Sequence, residues 1–294
     1  MHPAPSVILF TVLSGLGFGA LAWLGLGYPA LTGWNAFVFY ILAYGLTLAG
    51  LLASSFHLGN RSNALKAFSQ WRSSWLSREA WLTLIALVFM ALYAAGAVFF
   101  ATRLAPLGWL GAAFALATVF ATSMIYAQLR TVPRWNHWST PALFFSLALT
   151  GGALLVGQAR AAVVLLLLSG GIQLLSWALG DRRFTQRGHS AGTATGLGHI
   201  GRVRLLESPH SSPNYLLREM VFVVARKHAV KLRAIGFFLM IIIPLLLLLA
   251  LPGSAVAQGG ALLSHVAGVL VSRWLFFAEA QHVLSLYYDA TSRP

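Results

Sequence analysis

Two short stretches hold residues able to trade protons with a bound hydroxyl: Phe56-His57-Leu58-Gly59 and Trp75-Leu76-Ser77-Arg78-Glu79. Histidine titrates near neutral pH, and a carboxylate close by can take or return the same proton. The chain has only six carboxylates, Glu79, Asp181, Glu207, Glu219, Glu279 and Asp289, so each one is informative. Taken singly, His57 also reads as an interfacial histidine bonded to a helix carbonyl, and Glu79 as an acid favoured at a helix N-terminus. Together, among so few ionisable groups, they point to function.

A second constellation runs from Tyr126 through Arg130 and Arg134 to Trp135. Such residues are ordinary anchors at a membrane surface. They are also what a flat ring with carbonyl oxygens needs, Arg or Tyr donating and Trp packing on the face. A third, Arg273-Trp274-Leu275-Phe276-Phe277-Ala278-Glu279 with His282, sits in an apolar run. Ionisable groups at such depth are costly and stand by default as functional hypotheses. Glu279 and His282, three apart, would share a helix face; an internal ion pair is the competing reading. A bis-histidine haem needs two histidines at like depth on facing helices. Only His57 with His282 could supply them, and no haem is expected. Nor is a metal site.

These residues are carried by elements that the hydropathy pattern makes plain. The 294-residue chain is 58 % hydrophobic and 9 % charged with a mean hydropathy of +0.76, which excludes an ordinary soluble domain. A spanning helix needs about 20 mostly apolar residues. Eight stretches qualify, near 6–27, 36–56, 80–101, 107–129, 140–158, 160–180, 233–251 and 259–286. Lipid cannot satisfy stray backbone groups, so the runs must be helices. The fold expected is therefore all-α, a single integral-membrane unit over 1–294 with eight transmembrane helices.

Threaded so, 17 of the 20 Lys and Arg fall on one side: the 57–79 and 130–139 loops, the 181–233 segment and Arg293. Basic loops stay cytoplasmic, which predicts both termini inside. Topology thus accounts for the net charge of +14 without nucleic acid, and lipid headgroups are the nearer partner. The start, Met1-His2-Pro3-Ala4-Pro5, lacks the basic region of a secretory signal, so the first apolar run reads as a helix that stays.

The chain has no cysteine, so it can hold no disulfide, thiolate zinc or cysteine-ligated cluster. Any electrons must come from another subunit or a diffusible cofactor. Gly15, Gly17, Gly19, Gly151, Gly152 and Gly157 read as close helix packing, and Pro244 as a kink. The 181–233 segment, the only extended polar region, reads as a long cytoplasmic loop with an amphipathic helix near Leu216–Lys231. It suits a docking surface.

Three stretches then resemble the membrane-anchor subunit of the dimethyl sulfoxide reductase family. They are Met1-His2-Pro3-Ala4-Pro5-Ser6; Phe56-His57-Leu58-Gly59 with Trp71-Arg72-Ser73-Ser74-Trp75-Leu76-Ser77-Arg78-Glu79; and Met124-Ile125-Tyr126 with Val132-Pro133-Arg134-Trp135. The His-Leu-Gly and Ser-x-Glu motifs are the most specific. Ala194-Thr195-Gly196-Leu197-Gly198, Asn214-Tyr215-Leu216 and Arg273-Trp274-Leu275-Phe276-Phe277-Ala278-Glu279-Ala280 resemble the branch that includes the membrane subunit of cytoplasmic sulfite dehydrogenase. The resemblance implies an inner-membrane anchor that holds a molybdopterin catalytic subunit and a four-cluster ferredoxin-like iron–sulfur subunit. It implies exchange of electrons with ubiquinone or menaquinone, without haem. It also carries quinol-binding roles over to His57 and Glu79.

The expectation that follows is a quinone-binding anchor, not catalytic alone, serving sulfite oxidation with its partners on the cytoplasmic face. His57 and Glu79 would relay protons, Arg78 or Arg130 would polarise a quinone carbonyl, and Tyr126 or Trp135 would pack on the ring. Arg273, Glu279 and His282 are secondary candidates. The alternatives are an anchor that oxidises quinol for a sulfoxide reductase, or a secondary transporter. A transporter would show inverted repeats and broken helices at midplane. Here the polar groups gather at one face.

Overall fold

The computed structural model describes residues 1–56, 66–204, 206 and 228–288. Six long helices come first: α1 (Pro5–Gly25), α2 (Gly33–Ser55), α3 (Trp75–Phe99), α4 (Ala105–Ala127), α5 (Ser139–Leu155) and α6 (Ala159–Gln186). A short α7 (Ala191–Thr195) follows, then α8 (Ala229–Phe237), which passes through a π-turn (Phe238–Ile242) into α9 (Ile243–Ala250), and finally α10 (Ala255–Ala278). A 3₁₀ turn, Val283–Tyr288, closes the described part. Among the described residues there is no strand.

Seven of these units are long and apolar enough to cross a bilayer, α8–α9 counting as one. The chain is a multi-pass membrane protein. The remaining helix, α5, has 17 residues and spans about 25 Å, short of the roughly 30 Å hydrocarbon core. The 131–138 stretch before it tucks inward, with Val132 and Trp135 buried. Gly157, at φ 76°, turns the chain tightly into α6. The amino group of Met1 donates to the Ala280 carbonyl at 2.7 Å, so the start of α1 and the end of α10 lie at the same end of the bundle.

Helix α1 is the axle. It packs on α2, α4, α5 and α10. It is buried along 72 % of its apolar stretch, against 28 % for α2 and α3. Glycine makes this possible. A β-carbon on Gly17 would collide with Thr47 of α2, and one on Gly152 would enter the α1 backbone at Gly19. Without a hydrophobic drive in lipid, such close approach and hydrogen bonds hold helices together. Trp23 Nε1 donates to the Leu149 carbonyl (3.0 Å), Tyr44 to the Leu87 carbonyl (2.7 Å) and Ser272 to Gln173 (2.8 Å).

Pro244 acts where expected, with a π-turn as the form of the distortion. Proline lacks an N–H and crowds the carbonyl four residues back, here Met240. The turn ahead of it sends the Ile243 N–H to Phe238 instead of Leu239. Two carbonyls are released, and α10 caps both: Ser264 Oγ donates to Leu239 (2.7 Å) and His265 Nδ1 to Met240 (2.8 Å). Gly268 lets the two backbones approach, since a β-carbon there would meet the Met240 backbone.

Two boundaries differ from the sequence reading. Helix α6 runs on to Gln186 and α8 begins at Ala229, so the polar connection is 187–228, not 181–233. No glycine or proline interrupts α6 between Asp181 and Gly188, and Asp181 is held against α8 by Arg233. Helix α10 stops at Ala278, with Glu279 as its C-cap, where the last apolar run was expected to continue to 286. There Ala280 accepts from Met1, and the Val283 N–H donates to the Thr131 carbonyl (3.0 Å), so tertiary partners draw the chain off the helix axis. The Leu216–Lys231 reading lies mostly outside the described residues.

Candidate functional site

Glu79 is the fifth residue of α3 and only 5 % exposed. The segment before α3 folds back onto its first turns. The Gln70 N–H donates to Ser77 Oγ (3.3 Å) and Trp81 Nε1 to the Phe68 carbonyl (3.0 Å). Phe68 meets Trp81 edge-on at 5.4 Å. This fold-back roofs a pocket of about 440 Å³ between α1, α2, α3 and α4. Its walls are mostly apolar: Phe10, Leu51, Phe68, Leu76 and Ile125, with Ser54, Glu79, Thr83 and Tyr126 supplying the polar atoms.

Within it, Glu79 Oε1 accepts a short hydrogen bond from the Thr122 hydroxyl of α4. Thr122 also lies 3.0 Å from the Thr118 carbonyl. Among the described residues Glu79 has no ion pair. Thr83, one turn along α3, has a buried hydroxyl with no partner among the described residues. Size, apolar walls and a few convergent polar groups are the usual marks of a small-molecule site. A ring with carbonyl or hydroxyl oxygens suits them, the carboxyl and hydroxyls facing its oxygens and the aromatics its faces.

The sequence-predicted residues are distributed as follows. Glu79 and Tyr126 line this pocket together. His57 lies outside the described residues; its neighbour Phe56 is the C-cap of α2, whose Ser54 is in the pocket wall. Arg78 faces another way. Its Nε donates to the Trp71 carbonyl (3.0 Å), its Nη2 to the Arg72 carbonyl (2.7 Å), and its guanidinium lies 4.3 Å over the Trp75 ring. It secures the fold-back. Arg130 is exposed after the end of α4. Trp135, 2 % exposed, is locked in an aromatic cluster, stacked on Phe276 at 5.1 Å with its Nε1 on the Phe276 carbonyl (2.9 Å). It reaches Tyr126 edge-on at 5.4 Å and so backs the pocket wall.

The third constellation divides. Glu279 faces Arg134 Nη1 (3.1 Å) and Arg233 Nε (2.7 Å), and Asp181 bridges the same two arginines, with Arg233 Nη2 at 2.6 Å. Arg134 and Asp181 are in direct contact. This four-charge knot ties the α4–α5 connection, α6, α8 and the end of α10. Arg273 takes no part in it; its guanidinium lies 3.5 Å over the Phe144 ring. His282 is beyond the helix, its Nδ1 accepting from the Leu284 N–H (3.0 Å), so it shares no helical face with Glu279. Thr122 and Thr83 escaped the sequence reading, although the signal was present. Thr122 is one turn before Tyr126, and Thr83 one turn after Glu79, each on the same face.

A family model described as the DMSO reductase anchor subunit (DmsC) matches residues 1–172, which include α1 to α5, the whole pocket and both motifs flanking it. The chain belongs to the DMSO reductase anchor subunit family. The anchor is also 31 % identical to the third, or C, component of the sulfite dehydrogenase of Allochromatium vinosum, over 99 % of this chain and 100 % of that one. The resemblance read from the His-Leu-Gly and Ser-x-Glu stretches, and that to the sulfite dehydrogenase branch, both hold. No solved structure matches the anchor.

Proposed function

We propose that this chain is the quinone-reactive membrane anchor of a sulfite-oxidising complex, with a molybdopterin subunit and a four-cluster iron–sulfur subunit docked on its arginine-rich end. The observation that carries the site is a buried carboxyl, without an ion pair among the described residues, at the side of an apolar pocket of about 440 Å³. Sulfite as the electron source is supported by the full-length similarity to a sulfite dehydrogenase component. The basic loops assign the docking end to the cytoplasm. All eight helices cross in this reading, α5 included. The pairing of Met1 with Ala280 supports it, because an even number of crossings returns the chain to the side where it began.

A bound quinone supplies the two-electron acceptor. The chain's own residues do the rest. Leu51, Phe68, Ile125 and Tyr126 keep water from the ring. Glu79 holds a proton at its carboxyl, oriented by Thr122, and releases it toward a reduced oxygen. His57 follows α2 directly at the same end and relays protons from the surface. The Thr83 hydroxyl offers a further hydrogen bond to the ring substituents.

The test is photolabelling of the intact complex in native membranes with an azido-quinone, followed by peptide mapping. Labels on peptides holding Leu51, Phe68 or Tyr126, displaced by excess quinone, are expected. Displaceable label confined to the apolar groove of Pro5, Leu9, Leu270 and Trp274 on the other flank of α1 would overturn the assignment.

A further inference from the structure

Behind Thr122 lies a second space. A chamber of about 30 Å³ is enclosed by α1, α4, α5 and α10, with Thr11, Ser14, Thr122, His265 and Arg273 as its polar lining. A water requires roughly 10–15 Å³ measured in the same way, so the volume suits about two. Arg273 is 3 % exposed, and its Nε and Nη1 have no partner among the described residues. Nor has His265 Nε2, on a side chain 1 % exposed. Burying such groups without hydrogen bonds costs roughly 1–3 kcal/mol each, more for the charged one.

The chemistry of the lining selects the occupant. Arg273 brings only donors. His265 donates through Nδ1 to the Met240 carbonyl, so the neutral ring offers a lone pair at Nε2. Ser14 Oγ donates to the Phe10 carbonyl (2.6 Å) and Thr11 Oγ1 to the Ile8 carbonyl (3.1 Å), leaving both as acceptors. Water, which donates and accepts, matches donors on one wall and lone pairs on the others. A small anion would suit Arg273 and be opposed by the rest.

We propose that this chamber is a hydrated relay: its waters, held under Arg273, pass protons to Glu79 through the Thr122 hydroxyl. Thr122 belongs to both spaces, lining the chamber and bonding the carboxyl. In the step, a chamber water gives a proton to Thr122 Oγ1 as the threonine's own proton passes to the Glu79 carboxylate. The hydroxide left behind is stabilised by the fixed charge of Arg273 and reprotonated from solvent water. No electron moves. The use made of the proton rests on the quinone reading; the water and the exchange do not.

The experiment is infrared hydrogen–deuterium exchange on the intact complex in native membranes. The Glu79 carboxyl band is identified by its loss in Glu79→Gln. Thr122→Val should slow its exchange at least about tenfold, while Thr122→Ser keeps it near the parent rate. A second variant leaves every polar group in place. Gly15 lines the chamber, and a β-carbon there meets nothing within 4 Å, so Gly15→Leu fills the space with hydrocarbon and should slow exchange likewise. Exchange at the parent rate in both Thr122→Val and Gly15→Leu would overturn the relay. So would the absence of any Glu79 carboxyl band from about pH 5 to about pH 9. Slowed exchange together with quinone label outside the Glu79 pocket would keep the relay and remove the quinone assignment.

Discussion

Glu79 and Glu279 are two glutamates buried to nearly the same degree, 5 % and 9 % exposed, at the same end of one bundle. Their surroundings differ. Glu279 stands between two guanidiniums that Asp181 also shares, so its charge is balanced and its oxygens are occupied. Glu79 has a neutral threonine and an apolar pocket. A buried acid among fixed cations fastens helices; one held by a hydroxyl beside a cavity is free to change protonation. Burial alone would have ranked them alike. What each carboxyl touches separates structure from chemistry.

The sharpest way to break the contrast is to neutralise each acid in the complete complex. Glu79→Gln should lower sulfite-dependent quinone reduction about a hundredfold, the scale of lost proton transfer. Glu279→Gln should leave turnover per assembled complex within about twofold of the parent, because its role is mechanical. Equal losses would erase the distinction. Stability should answer in reverse. Glu279→Gln leaves Arg134 and Arg233 short of a counter-charge and should cost roughly 3 kcal/mol, read as the unfolding midpoint of the detergent-solubilised complex. Asp181→Asn should cost less, since that side chain is 44 % exposed.

A finer cut asks whether the pocket reads oxygen atoms. Thr83→Val removes a buried hydroxyl and keeps the shape. It should raise the KM for quinone roughly threefold, as loss of one modest hydrogen bond does, with little change in kcat.

The smallest effect concerns pH on the structural side. Burial, and then the charge of Arg183, push the His137 imidazole below its ordinary 6.5. Its Nδ1 accepts the Ser139 N–H at the start of α5 (3.3 Å), which needs that nitrogen unprotonated. A depressed value in the folded protein means that the unfolded chain binds the proton more tightly. The neutral ring therefore contributes stability above pH 6.5, and this is lost as pH falls through the lower folded value. Melting at about pH 7.5 and about pH 5.5 should show it, and His137→Asn should flatten the difference.

Hydropathy located the spanning segments because every one is a continuous apolar run that lipid forces into a helix. It could not foresee where α10 stops. That end is decided by Met1 and Thr131, partners 279 and 152 residues from the atoms they bind. Pro244 announced a distortion. That Ser264 and His265 would cap the released carbonyls depends on how α10 lies against α8 and α9, which no local pattern carries. Glu79 was legible because carboxylates are so few. Thr122 was not, since a threonine in an apolar helix usually bonds its own backbone, as Thr47 and Thr150 do here. Trp135 and Arg78 had the right chemistry for a ring site, and tertiary packing gave them other work.

The centrality of α1 has a consequence for how the protein is made. This helix precedes every partner in the chain, yet it is the most enclosed of the spanning helices, with α4, α5 and α10 all seated on it. On emerging into the membrane it presents Gly17, Gly19 and the Ser14 hydroxyl to lipid or to the insertion machinery until the later helices arrive. Its first available cover is α2, which claims the Gly17 face; the Gly19 face must wait for α5. Biogenesis thus keeps one flank of the first helix open through most of translation, and the bundle closes only when α10, the last to be made, comes to rest against it.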